Sequence, residues 1–166
     1  RYTEVGASLL YGLNPYETAM RFPHVPLDQW NFYWIYYYYK KYPPLFFYLL
    51  SGWFAIFGNT VFSLWMLFLL SDTICVFLVF KIGAILRDEE LGLKFGYLFA
   101  FLPFNVINFM MGINDCIPVL FSLLSIYFFL KGKLYHASFF VSLGILFKLF
   151  PAFLFLCYLL YYLKSR

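Results

Sequence analysis

Residues 61–80 read VFSLWMLFLLSDTICVFLVF, and this run decides the fold. Asp72 is its only charged residue. At about 1.5 Å per residue, about 20 helical residues cover the roughly 30 Å hydrocarbon core of a bilayer. The run therefore predicts a membrane-spanning helix. The whole chain agrees. Soluble domains are about half apolar and about a quarter charged, whereas 64% of these 166 residues are hydrophobic and 12% charged. That balance predicts an integral membrane protein. Aromatics make up 27%, with 24 Phe and 16 Tyr. Phenylalanine suits lipid-facing and packed surfaces, and tyrosine suits the membrane–water interface.

Upstream, Leu45 to Phe57 is apolar but too short to cross perpendicularly. Pro43-Pro44 and Gly58-Asn59 bound it. Residues 43–58 are expected to form a juxtamembrane or re-entrant helix. Residues 1–42 are the most polar part, with Glu4, Glu17, His24 and Asp28 and three prolines. Gly12-Leu13-Asn14-Pro15 is a turn signal, and Ala7 to Leu13 extend a short helix begun near Tyr2. Trp30 to Tyr42, rich in Trp and Tyr and carrying Lys40-Lys41, has the composition of an interfacial belt. We expect residues 1–42 to be an extracytoplasmic loop segment.

Downstream, Lys81, Arg87, Asp88, Glu89, Glu90 and Lys94 suggest a charged loop over 81–94. Phe95 to Met111 is a second span, with Pro103 inside it, and Cys116 to Leu130 a third. Lys131-Gly132-Lys133 is a tight turn. Leu134 to Leu163 is too long for one untilted helix, and Lys148 and Pro151 interrupt it. Proline removes a helical donor and clashes with the preceding turn. The stretch is either two short spans, 134–148 and 151–163, or one kinked helix. Residues 59–166 are thus expected to be an all-α bundle of about five spans. The positive-inside rule puts 81–94, 131–133 and 164–166 in the cytoplasm. Residues 1–60, Asn114-Asp115 and Lys148 then share the outer side, provided 45–57 does not cross.

The charges are spread over loops, and no basic cluster points to nucleic acid. Cys75, Cys116 and Cys157 lie in or beside apolar runs and read as packing residues. His24 and His136 are isolated. No cofactor motif is evident, and a divalent cation is possible but unsupported.

Ionisable groups at membrane depth are costly and mark candidate sites. Asn105, Asn108, Gly112 and Asp115 are spaced three and four apart, on one helix face. This is either a packing face ending in an aspartate or the wall of a polar cavity. A carboxylate there suits a base, or the binding of an acceptor hydroxyl or a metal. Lys148, among Leu146, Phe147, Leu149 and Phe150, is either a snorkelling lysine or a fixed charge for a phosphate. Asp72 suits a structural or supporting role. Tyr42-Pro43-Pro44 is either a helix start or a rigid rim bringing Lys40 and Lys41 to a phosphate.

Gly12-Leu13-Asn14-Pro15-Tyr16, Tyr42-Pro43-Pro44-Leu45, Gly112-Ile113-Asn114-Asp115, Lys131-Gly132-Lys133 and Lys148-Leu149-Phe150-Pro151 follow one another along the chain. In that order they resemble the GT-C superfamily of membrane glycosyltransferases, which use polyprenyl-phosphate sugars. The nearest likeness is to archaeal and bacterial polyprenol-phosphate-dependent mannosyltransferases formerly known as a domain of unknown function. GPI mannosyltransferases are more distant. The resemblance implies a multi-span bundle with a large first external loop and juxtamembrane helices. It implies a catalytic aspartate in that loop, soon after a first span. No aspartate precedes Tyr2, and Glu4 is the only nearby carboxylate. On this likeness the chain is expected to be part of a longer protein, with the first span, the principal aspartate and further C-terminal spans outside it.

The resulting expectation is a multi-pass protein of a prokaryotic cell membrane. It would transfer a hexose, mannose foremost, from a polyprenyl-phosphate carrier to a glycan, lipid or protein hydroxyl outside the cytoplasm. Asp115 is the candidate catalytic or acceptor-site carboxylate, with Glu4 a weak one. Lys148, Lys40, Lys41, Tyr42, Asn114 and Asn108 are the candidate substrate-binding residues. The alternatives are a small transporter or channel subunit, with Asp72, Asp115 and Lys148 lining a path, and a non-catalytic membrane scaffold.

Overall fold

The computed structural model describes residues 9–12, 14, 43–103 and 115–164. Among them all regular structure is helical. The chain divides into two units, Arg1–Leu67 and Phe68–Arg166.

In the first unit, helix α1 (Pro44–Phe57) starts where proline is best tolerated, at the first helical position. Pro43 before it is extended, at φ −61° and ψ 157°, as a residue preceding proline should be. The helix stops at Gly58, whose φ of 82° favours glycine. Phe46, Phe47, Leu50, Ser51 and Phe54 are buried, at spacings of one helix face. A single 3₁₀ turn, Leu9–Tyr11, packs against α1. The link to α2 (Val61–Leu86) is tied three times. Thr60 Oγ1 accepts from the Ser63 amide at 3.0 Å. The Ser63 hydroxyl donates to Gly58 O at 2.6 Å. The Trp53 indole donates to Ser63 O at 2.7 Å.

In the second unit α2 runs on to Leu86, and it is the one described helix long and apolar enough to cross a membrane. The expected break at Phe80 is absent. Residues 81–86 contain no proline, and Lys81 is a good helix former. The stop comes at Arg87-Asp88. Asp88 is extended, and its carboxylate accepts from the Leu91 amide at 2.8 Å, capping α3 (Glu89–Ala100). Glu89 and Glu90 in the first turn complement the helix dipole, and Glu90 pairs with Lys94 at 2.6 Å. The expected charged loop of 81–94 is thus a two-residue turn between helices. Helix α3 ends at Ala100, ahead of Pro103, so 95–111 is not one unbroken helix.

The α2–α3 crossing is tight because it is made of glycine. A Cβ on Gly83 would lie 2.7 Å from Gly92 Cα, and one on Gly92 would lie 2.6 Å from Phe80 O. Gly92 and Gly96 form a G-x-x-x-G pair, the small-residue spacing that lets helix backbones touch.

Helices α4 (Cys116–Leu130) and α5 (Leu134–Phe147) form a hairpin. Its turn depends on Gly132 at φ 70°. The amides of Gly132 and Lys133 close it on Phe129 O and Phe128 O, both at 2.9 Å. Stacked rings fill the seam: Phe128 on Phe140 and Phe121 on Phe147, each at 5.4 Å. Residues 134–163 resolve into two helices, α5 and α6 (Ala152–Lys164), not one kinked helix. Lys148 is extended at φ −155° and ψ 151°, and Pro151 packs against Gly144, where a Cβ would meet its ring at 3.1 Å.

Candidate functional site

Because α5 returns along α4, their free ends meet. Asp115 precedes α4 and Lys148 follows α5. Lys148 Nζ donates to Asp115 Oδ1, forming an ion pair. Asp115 does not cap its own helix with its side chain. Its carboxylate goes to Lys148, while a negative charge at that helix start remains favourable to the dipole. The two side chains are 34% and 29% exposed, so the pair is partly shielded and still open to a ligand. The extended backbone at Lys148 is what turns its ammonium out of the α5 helical path.

Helices of 15 and 14 residues rise about 21–22 Å. The Cys75 thiol faces Cys116 O at 3.7 Å, so the start of α4 lies beside the middle of α2 and not at its end. Asp72 lies three residues before Cys75, on the same face of α2. Asp72, Asp115 and Lys148 therefore share one region of the second unit.

Of the sequence candidates, the structure joins Asp115 and Lys148. Glu4, Lys40, Lys41, Tyr42, Asn108 and Asn114 lie outside the described residues, as do Asn105 and Gly112. Among the described residues no group of three or more His, Cys, Asp or Glu forms a possible metal cluster.

One supporting feature escaped the sequence. Ser125, fully buried, donates to Ala137 O at 2.8 Å and lies 2.9 Å from the Tyr158 hydroxyl. A serine has one proton to give, so Tyr158 is the donor to Ser125. This knot binds α4, α5 and α6, and Phe129 stacks on Tyr158 at 4.3 Å beside it. It holds the helices whose ends carry the ion pair. Only the serine's place in an apolar run hinted at it.

Residues 41–166, well over half of the chain, match the family model for dolichyl-phosphate-mannose-protein mannosyltransferases. No curated protein and no solved structure matches the chain.

Proposed function

The chain belongs to the dolichyl-phosphate-mannose-protein mannosyltransferase family, and on that premise we propose that it transfers a hexose, mannose foremost, to an acceptor hydroxyl on the extracytoplasmic side. Membership itself makes it a membrane glycosyltransferase of GT-C type that uses a polyprenyl-phosphate sugar, as the ordered motifs implied. The observation that supports a site at the end of the α4–α5 hairpin is the Lys148–Asp115 ion pair.

In the reaction the bond between the sugar's anomeric carbon and the carrier phosphate breaks, and a bond to the acceptor oxygen forms. The phosphate leaves with the bonding electrons, and the acceptor hydroxyl gives up a proton. Lys148 is a compact cation suited to the departing phosphate. Asp115 is a carboxylate able to take the proton or hold the hydroxyl. At rest each neutralises the other. When the donor arrives, Lys148 stands between two anions and offsets their repulsion. Lys40, Lys41, Tyr42, Asn108 and Asn114 are proposed, from the sequence alone, as further substrate-binding residues.

Sidedness rests on charge. Lys131 and Lys133 occupy the hairpin's other end, so a cytoplasmic turn directs the pair outward. The test is donor binding against turnover in the full-length reading frame. Lys148→Ala should weaken binding of the lipid donor strongly, and Asp115→Asn should lower turnover with less effect on binding. Wild-type rates in both variants would refute the assignment.

A further inference from the structure

A groove of about 460 Å³ lies between α2 and α3, lined by neither Asp115 nor Lys148. Thr73, Phe77, Phe80, Leu93, Tyr97 and Phe101 line much of it. Gly96, one of its lining residues, puts no side chain into the seam beside Phe80. Its lining is almost wholly apolar. The Thr73 hydroxyl is spent on Leu69 O at 2.7 Å, leaving the Tyr97 hydroxyl as its main polar group. No sugar would bind there. A hydrocarbon chain would.

The second observation is a cation at one end. Lys81 Nζ lies 5.3 Å from the ring centroids of both Phe77 and Phe80, two walls of the groove. Among the described residues no carboxylate pairs with Lys81, whereas Lys94 is held by Glu90 and Lys148 by Asp115. Residues 61–80 already supply about 20 residues, enough for the hydrocarbon core, so Lys81 stands at its edge. From Phe80 to Thr73 the groove runs inward about 10 Å by helical rise. A charge at the membrane surface with an apolar channel leading inward from it has the layout of a lipid.

We propose that this groove holds one acyl chain of an anionic phospholipid of the cytoplasmic leaflet, with its phosphate on Lys81. The leaflet follows from the Lys and Arg bias of the 81–94 side. The proposal goes beyond sugar transfer and does not use it as a readout, so either can fail without the other.

Native mass spectrometry of the full chain, with added phosphatidylglycerol or phosphatidylcholine, tests it. Wild type should retain phosphatidylglycerol about fivefold more than phosphatidylcholine, the size of one lysine's attraction to an anionic surface. Lys81→Gln should abolish that preference, while Lys131→Gln, at the far hairpin turn, should keep it. Ala100→Trp, which fills the groove, should reduce retention of both lipids. Helical circular dichroism of each variant confirms folding. Equal retention of the two lipids by wild type would overturn the proposal, as would an unchanged preference in Lys81→Gln. Displacement of phosphatidylglycerol by an equimolar polyprenyl phosphate would assign the groove to the carrier and overturn it too.

Discussion

Breaking the Asp115–Lys148 pair should cost more than its exposure suggests, and the two residues should be coupled. Unit charges about 4 Å apart attract by about 4 kcal/mol at an effective dielectric near 20. Exposed pairs net about 0–1 kcal/mol, and removing one partner of a buried pair costs about 3–5 kcal/mol. With side chains 29% and 34% exposed, this pair lies between those limits. Asp115→Asn and Lys148→Met should each destabilise by about 2 kcal/mol, because each leaves one charge uncompensated. The double variant leaves no charge uncompensated and should cost no more than about 2 kcal/mol, giving a coupling of about 2 kcal/mol or more. Denaturing-detergent titration in mixed micelles, followed by circular dichroism, measures all four corners of the cycle. Additivity within about 0.5 kcal/mol would show that the pair holds nothing together.

Three further outcomes follow from the packing and the topology. Gly92→Ala should destabilise by about 1–3 kcal/mol in the same titration, since its Cβ meets backbone oxygen at 2.6 Å. Gly96→Ala, with its nearest contact at 3.5 Å, should be neutral or gain up to about 1 kcal/mol of helix propensity. Ser125→Ala should cost about 1 kcal/mol and Tyr158→Phe about half that, at the roughly 0.6 kcal/mol typical of a hydrogen bond inside a membrane bundle. Single-cysteine labelling from outside should modify position 114 and spare position 132, and the reverse would invert the topology.

Punctuation residues made much of the fold legible. Pro44, Gly58 and the Lys131-Gly132-Lys133 turn mark helix ends through backbone restrictions that act locally. The break between α5 and α6 was visible in Lys148 and Pro151, with one kinked helix as the alternative reading. The end of α2 was misread because charge was taken as the signal for a loop. Lys81 is compatible with helix, and the real stop is the capping aspartate, Asp88. The glycine crossing was hidden because Gly83 and Gly92 act on one another, not on their own helices. Ser125 and Tyr158 are 33 residues apart and meet only once α4, α5 and α6 are packed. The charge rule assigned Asp115 and Lys148 to one membrane side, but contact between them is set by the hairpin, whose seam is aromatic.

The central claim is that the chain's family chemistry runs from a lipid-phosphate donor through the Asp115–Lys148 end of the hairpin. The most direct measurement is sugar transfer by the full-length reading frame in proteoliposomes, from polyprenyl-phosphate mannose and from a nucleotide-linked mannose. The account predicts transfer from the lipid donor, none from the nucleotide donor, and loss of transfer in Lys148→Ala. Transfer from the nucleotide donor would contradict it, as would full activity in Lys148→Ala, or solute flux across the membrane without any transfer.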